Sequence, residues 1–278
     1  MEQSNRQWAD RYGPWAVVAG ASEGIGAAFA RAAAARGLNV VLVARRPEPL
    51  KALADKLEAN HGVRTRALAL DLAQPERVTA LLTGTSDLEV GLLVWNAALS
   101  LIGPFLEQPL EGHLRELEVN CLAPLSLVHG LGREMVARRR GGIILMSSLS
   151  GMQGSALIAH YAATKAWNRV LAEGLWWELG KSGVDVLACL AGATDTPGYR
   201  ASEPAGGKGP RVSVMSAEAV VEEALAALGR MPSLVPGWRN RWAAALLARV
   251  LPRRLAVRIM GKAMDGLYGR PANREPPD

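Results

Sequence analysis

The sequence predicts an α/β fold, a doubly wound sheet of about seven parallel strands with helices on both faces. Short β-rich runs alternate with longer helical patterns through most of the 278 residues. The β-rich runs are continuously apolar rather than alternating, which is typical of parallel strands that are covered on both faces. Repetition of strand and helix then favours a doubly wound arrangement.

Six strands are predicted from these apolar runs, at residues 15–20, 39–44, 65–70, 91–96, 142–148 and 184–190. A seventh strand at 233–236 is expected at an edge of the sheet, because Pro232 and Pro236 would interrupt a central ladder. After the sixth strand comes a segment rich in glycine and proline, 197–211. Ligands of open α/β sheets bind at the carboxyl edge, so this segment is either a mobile lid over a substrate or an inert surface loop.

Composition indicates a globular chain in a reducing, cytoplasmic setting. About half of the residues are apolar and about a fifth are charged, which is enough to bury a substantial core. The two cysteines have neither metal-ligand nor disulfide spacing. No apolar run suits a signal peptide, and none reaches the roughly 20 residues needed to span a bilayer.

Net charge divides the chain into a neutral body and a basic tail. Residues 237–262 carry seven basic side chains and no acidic one, whereas the rest has 25 basic and 26 acidic residues. This distribution lacks the broad cationic face of a nucleic-acid binder, so no nucleic-acid partner is expected. We therefore predict one domain over 1–236 and a basic, amphipathic helical extension over 237–278.

Two interpretations of the extension stay open. Its helical stretches, on either side of Pro252, could rest on an anionic membrane surface, which would place the protein at the inner face of a membrane. Alternatively, they could pack on the body of the protein or on another subunit while their arginines face water.

A glycine-rich turn follows the first predicted strand. Gly20, Gly24 and Gly26 lie between this strand and an alanine-rich helix. Such a turn lets the backbone approach a pyrophosphate, whose charge is then held by amides at the helix N-terminus. Arg45 and Arg46 follow the second strand, where an acidic residue would favour NAD; arginine instead suits a 2′-phosphate, which favours NADP(H) while leaving NAD(H) open.

Tyr161 and Lys165 lie one helical turn apart, so that the ammonium can stabilise a phenolate. Ser148 ends the fifth strand thirteen residues before the tyrosine, and Asn120 lies in an earlier helical segment. Together with the glycine turn, this set resembles the short-chain dehydrogenase/reductase family, over about residues 14–236. The Ala-Ser-Glu-Gly-Ile-Gly stretch at 21–26, the Val-Ala-Arg-Arg stretch at 43–46 and the basic tail also resemble the steroid and 3-ketoacyl reductase branch of this family.

The resemblance implies a Rossmann domain that binds a nicotinamide cofactor and forms a homodimer or homotetramer. Ser148 would hydrogen-bond the substrate oxygen, Tyr161 would donate the proton, Lys165 would bind the ribose and lower the tyrosine pKa, and Asn120 would hold a water. The predicted cofactor contacts include the two arginines after the second strand. The full set is Gly20, Ser22, Glu23, Gly24, Ile25, Gly26, Arg45, Arg46, Asp71, Leu72, Asn96, Ala97, Tyr161, Lys165, Gly192, Thr194 and Thr196.

Four positions depart from the family pattern, namely Ala19, Trp95, Ala98 and Ala191. None removes a catalytic group, but Ala19 and Trp95 lose side chains that could bond across neighbouring strand ends. The histidines have no metal-ligand spacing, so no metal site is predicted.

Two functions of different classes follow from the sequence. The first is an NADP(H)-dependent oxidoreductase that reduces an apolar ketone, either steroid-like or 3-oxoacyl. Apolar residues around 149–158, 99–101 and 212–215 would line its pocket. The second is a non-catalytic NADP(H)-binding protein that regulates or docks on a membrane.

Overall fold

The structure, a computed structural model, describes residues 2–202, 213–246 and 251–268. Seven strands form one sheet in the order β3-β2-β1-β4-β5-β6-β9, and each neighbouring pair is parallel. Its strands are β1 Trp15–Ala19, β2 Asn39–Ala44, β3 Thr65–Ala69, β4 Val90–Trp95, β5 Gly141–Ser148, β6 Val184–Ala191 and β9 Ser233–Leu234. Two further strands, β7 Thr194–Asp195 and β8 Met215–Ser216, pair with each other.

Helices cover both faces of the sheet. They are α1 Glu2–Tyr12, α2 Gly24–Ala35, α3 Pro47–His61, α4 Pro75–Thr83, α5 Leu110–Leu117, α6 Ala123–Arg138, α7 Ala159–Gly180, α8 Pro197–Ser202, α9 Ala217–Ala227, α10 Trp238–Ala245 and α11 Arg253–Tyr268. Two separate cores result, one between the sheet and α2, α3 and α9, the other between the sheet and α4, α6 and α7. The predicted fold class is confirmed, and the strand bounds agree closely with those predicted.

The two edges of the sheet differ in character. β9 lies at one edge, as the two prolines predicted. β3 lies at the other edge, and its residues alternate between half-buried and exposed. The prediction of continuously apolar strands is therefore wrong for β3, because an edge strand is covered less completely than a central one.

Helix α1 was not expected from the sequence. The Tyr12 hydroxyl donates to Asp185 Oδ2 over 2.7 Å, and Arg11 Nε donates to the same oxygen over 2.6 Å. Asp185 lies at the start of β6, so the helix packs at the amino ends of the strands. This end is opposite to the one at which ligands of such sheets bind.

The segment predicted as a loop, 197–211, begins as helix α8, and residues 203–212 lie outside the described ranges. The extension contains α10 and α11, with 247–250 and 269–278 also outside them. Arg253 Nη1 of α11 donates to the Met152 carbonyl over 3.1 Å, and Ala256 is buried. Helix α11 therefore packs on the segment between β5 and α7. Among the described residues, no helix is both long enough and apolar enough to span a membrane.

The strand ends at Ala19 and Trp95 are well packed despite their departure from the family pattern. The two residues are register partners in β1 and β4, and both side chains are fully buried in the same core. Asn96 N also donates to the Ala19 carbonyl over 3.1 Å. A small residue thus stands beside a large one, and the sheet pairing continues to the cleft.

Replacing Trp95 with alanine is expected to lower the free energy of unfolding by about 3–5 kcal/mol, because it opens a large cavity in the core. Denaturant unfolding of purified protein measures this loss. Trp242→Ala is the matched control: that indole is 73 % exposed, so its change should stay within about 0.5 kcal/mol. Equal losses for both variants would contradict the assigned packing.

Candidate active site

The strand order reverses between β1 and β4, and at such a point the loops on either side part to leave a crevice. Two adjoining cavities occupy it: the long cavity, of about 660 Å³, and the small cavity, of about 190 Å³. They share six lining residues: Ile25, Asn96, Ala98, Tyr161, Thr196 and Tyr199. The long cavity and the small one therefore form a continuous cleft along the carboxyl edge of the sheet.

Nearly all of the predicted site residues line this cleft. The long cavity is bordered by Gly20, Ser22, Glu23, Gly24, Ile25, Arg45, Arg46, Asp71, Leu72, Asn96 and Ala97. The small cavity is bordered by Ser148, Tyr161, Lys165, Gly192, Thr194 and Thr196. The exceptions are Gly26 and Asn120, which act behind the surface of the cleft.

The glycine turn has the close approach that a pyrophosphate requires. Gly20 has φ +78°, and a Cβ there would lie 2.8 Å from Ala97 N. A Cβ on Gly26 would lie 2.0 Å from the Gly20 carbonyl oxygen, so only glycine allows α2 to start this close to β1. The Asn96 side chain also donates to the Gly20 carbonyl over 3.1 Å. The backbone in this turn fits the diphosphate of a dinucleotide.

Charged side chains surround the far end of the long cavity. Arg46 forms a short ion pair with Glu23 across the mouth. Arg45 is exposed, and the described part of the chain gives it no ion-pair partner. Asp71 accepts from Arg115 Nη2 over 2.7 Å. Arg115 lines the same cavity but was not predicted, because its spacing from the third strand carries no signal.

Three of the four residues predicted to be catalytic come together in the small cavity. Ser148 ends β5, and Tyr161 and Lys165 lie in the first turns of α7. Lys165 is buried, and its ammonium donates to the Met146 carbonyl over 2.9 Å, 5.5 Å from the centre of the Tyr161 ring. The Ser147 hydroxyl donates to the Lys165 carbonyl over 2.7 Å, which fixes α7 against β5.

The pKa of Tyr161 is shifted in the opposite direction from that expected. Burial raises it to about 12, the negative charge of Glu116 adds to the rise, and the hydrogen bond with Ser148 opposes it. Burial also lowers the pKa of Lys165 to about 8. The expected lowering of the tyrosine pKa is therefore wrong for the chain by itself, because loss of hydration and the charge of Glu116 outweigh the hydrogen bond with Ser148. A protonated phenol is the form that can donate to a carbonyl oxygen.

Asn120 lies in a π-helical turn, Glu118–Leu122, between α5 and α6. Its side-chain amide accepts from Leu99 N over 2.9 Å and donates to Leu99 O and Thr164 Oγ1 over 2.8 and 3.0 Å. These contacts connect the segment after β4 to α7, and π-turns often occur at functional sites. The water-holding role remains a prediction, and these side-chain bonds assign Asn120 a positioning role.

Tyr199 is a second residue that the sequence analysis missed. It lines both cavities from α8, and its amide donates to Thr196 Oγ1 over 3.1 Å. Thr196 in turn lies against Gly24, where a Cβ would be 2.9 Å from its methyl group. The segment after β7 therefore closes over the middle of the cleft.

Comparisons with known proteins agree with this geometry. Residues 14–205 match the family model described as short chain dehydrogenase. The 7beta-hydroxysteroid dehydrogenase of Collinsella aerofaciens is 34% identical over 234 residues, which are 84% of this chain and 89% of that protein. The very-long-chain 3-oxoacyl-CoA reductase of Rattus norvegicus is 33% identical over 223 residues, covering 79% and 70%.

Solved structures give the same result. One from a study of 7beta-hydroxysteroid dehydrogenase stereoselectivity has a TM-score of 0.86 and 32% identity, covering 91% of this chain and 98% of that one. A short-chain dehydrogenase from Sphingobium yanoikuyae in complex with NADPH has a TM-score of 0.74 and 34% identity, covering 85% and 93%. The chain belongs to the short-chain dehydrogenase family and is an NAD(P)-dependent oxidoreductase.

Proposed function

We propose that this protein reduces an apolar ketone, steroid-like or a long 3-oxoacyl compound, to its alcohol with NADPH. The observation that carries the proposal is the small cavity, where Ser148, Tyr161 and Lys165 adjoin a long dinucleotide cleft. The named activities of the relatives, which act on hydroxysteroids and 3-oxoacyl-CoA, support this substrate range.

The chain contributes geometry and proton transfer. When bound, the nicotinamide supplies the hydride. Negative charge then builds on the substrate oxygen, where the hydroxyls of Ser148 and Tyr161 converge and stabilise it. Tyr161 donates its proton to that oxygen. Lys165, held by the Met146 carbonyl, stabilises the phenolate that remains.

Apolar groups around the small cavity favour an apolar substrate. Met146, Ala191 and Ala193 line the small cavity, and Leu99 lines the long one. The apolar residues at 149–158 that were predicted to line the pocket border neither cavity; Ile158 is buried, and α11 packs on their segment. Tyr268, in the last turn of α11, is close enough to Tyr161 to raise its pKa. Helix α11 therefore ends near the proposed proton donor, although none of its described residues borders either cavity.

Tyr161→Phe should lower the rate of ketone-dependent NADPH oxidation by about 10²–10⁴-fold, because the proton donor is lost. Absorbance of NADPH with a panel of steroid, acyl and cyclic ketones measures the rate. NADPH binding, followed by its fluorescence, should be retained, because the ring remains in place. Tyr12→Phe, at the opposite end of the sheet, is the matched control and should keep the rate.

This experiment also separates the two functions considered. A wild-type protein that binds NADPH tightly but oxidises it with no ketone of the panel would favour the non-catalytic regulatory protein. A rate that survives Tyr161→Phe would refute the mechanism while leaving the oxidoreductase class intact.

The preference for NADP(H) is proposed from the two arginines after β2. Arg46 is engaged by Glu23, whereas Arg45 is exposed beside the same cavity. An arginine without a carboxylate partner offers its full set of donors to a 2′-phosphate. The neighbour that binds NADPH supports this preference.

Arg45→Ala is expected to weaken NADPH binding by about 10–100-fold, the size of a hydrogen-bonded charge contact, and to change NADH binding little. Titration calorimetry with both cofactors measures the difference. Arg77→Ala on the surface of α4 is the control, since it lies outside the cleft. Tighter binding of NADH than of NADPH by the wild-type protein would contradict the assigned preference.

Assembly and location are also proposed. Exposed apolar residues on α6 and α7, among them Leu125, Val170 and Trp177, favour a homodimer or homotetramer.

The extension combines an apolar stripe on α10, Trp238 and Trp242, with exposed cations on α11. These apolar and cationic residues favour contact with an anionic membrane surface. The proposed location is therefore the cytoplasm, with peripheral contact to the inner face of a membrane.

Vesicles of phosphatidylcholine with a third of phosphatidylglycerol should co-sediment with the protein at low salt and release it at about 0.5 M salt, where charges are screened. Reversing Arg254, Arg258 and Lys262 to glutamate should abolish co-sedimentation. Vesicles of phosphatidylcholine alone are the control. Absence of salt-sensitive binding would contradict membrane contact.

The proposed oligomer is tested by light scattering in solution. A measured mass equal to that of one chain would contradict it.

A further inference from the structure

Three side chains that the proposed reaction does not use converge behind the small cavity. His113 and Glu116 lie one turn apart on α5, and His160 lies in the first turn of α7. His160 Nδ1 is 2.8 Å from Glu116 Oε2, and His113 Nδ1 is 3.9 Å from the same oxygen. One candidate ligand atom from each residue lies within 4.8 Å of the other two.

Two atoms of this cluster are buried without a hydrogen-bond partner in the described part of the chain. Glu116 is fully buried, and its Oε1 accepts no hydrogen bond there. His113 is also buried, and its Nδ1 is likewise without a partner. Buried polar atoms are nearly always satisfied in native proteins, because leaving one unpaired is costly. Both side chains therefore keep binding capacity that the described residues do not use.

The ring orientation of His113 indicates which kind of group this is. Its Nε2 lies 3.2 Å from the Phe105 carbonyl oxygen, which can only accept, so Nε2 carries the proton. In the neutral ring Nδ1 is then the unprotonated nitrogen, with its lone pair available within the cluster. Histidines that bind metal ions commonly donate their other ring N–H to a backbone carbonyl in this way.

We propose that His113, Glu116 and His160 bind one divalent transition-metal ion, with Zn²⁺ the ion that matches best. Metal–nitrogen and metal–oxygen distances near 2.0–2.2 Å put tetrahedral ligand atoms about 3.3–3.5 Å apart. The observed separations, 2.8 and 3.9 Å, lie on either side of this value. The three ligand atoms lie within 4.8 Å of one another, so side-chain shifts of about 1 Å bring them to this spacing. Two imidazoles and one carboxylate favour Zn²⁺ over Mg²⁺ or Ca²⁺, which prefer oxygen ligands.

The ion would join elements that border the cleft. His160 directly precedes Tyr161, and the Phe105 carbonyl that orients His113 belongs to the segment after β4. A metal bound here fastens α5 to the start of α7. It would therefore stabilise the fold around the active site.

The test uses the full chain, treated with EDTA, dialysed and titrated with Zn²⁺ against a chromophoric chelator. The wild-type protein should bind one equivalent per chain with Kd in the micromolar range or tighter. A hundredfold excess over Kd should raise Tm by about 5–10 °C, because the ion binds the folded state alone. Co²⁺ should bind to the same site and give the visible absorption of a four-coordinate ion.

Glu116→Gln and His160→Gln should each weaken Zn²⁺ binding by about 10–100-fold, whereas His129→Gln, on the exposed face of α6, should leave it unchanged. A wild-type protein that takes up no stoichiometric Zn²⁺ or Co²⁺ would overturn the proposal. An ion that binds the cluster variants as tightly as the wild type would also overturn it. If a variant fails to fold, anomalous scattering from a zinc-soaked wild-type crystal decides, since a zinc peak anywhere but among the three side chains refutes the site.

Discussion

The close approach of the glycine turn to the end of β4 is the contact on which the site depends. Gly26 meets the Gly20 carbonyl so closely that no side chain fits between them, and Asn96 bonds that carbonyl from the neighbouring strand. This contact brings the N-terminus of α2 directly above the point where the strand order reverses. The cleft, the anion-binding amides and the two catalytic elements are all arranged around that point.

Buried polar contacts then fix the catalytic side chains. Asn168 donates to the carbonyls of Asn120 and Thr164 over 2.8 and 3.0 Å, and Asn120 joins Thr164 to Leu99. Asn168 Oδ1 is the one atom of these amides without a partner among the described residues. The other bonds tolerate few alternative arrangements, because breaking one leaves a buried polar group without a hydrogen bond. The position of Tyr161 is thus determined from behind, by residues that never touch a substrate.

The sequence predicted those parts of the fold whose cause is local. Central strands follow from continuous apolar runs, and the turn at Gly20 follows from glycines at a strand end. It could not predict that β3 is an edge strand, since this depends on sheet order. The start of α8 was hidden by glycine and proline, and α1 is explained only by the bonds of Arg11 and Tyr12 to Asp185, more than 170 residues away.

The same limit applies within the site. Ser148, Tyr161 and Lys165 were predicted to lie together, and they do, because their spacing is fixed by one strand and one helix. Arg115 and Asp71 pair across 44 residues, as do Glu116 and His160, and no local pattern reports either pair. The prediction that the pKa of Tyr161 is lowered was wrong for a related reason. Spacing showed the nearby ammonium but neither the depth of burial nor the carboxylate of Glu116.

Helix α11 shows why the substrate is the hardest property to derive. The sequence set it apart as an extension, yet it packs on the segment that joins β5 to α7, bonded through Arg253 to Met152. Its last turn carries Tyr268, which lies near Tyr161. The groups held by the sheet and the buried network belong to the pattern that the family shares, whereas the docking of an appended helix does not follow from that pattern. The reaction class could therefore be predicted from the sequence, and the substrate could not.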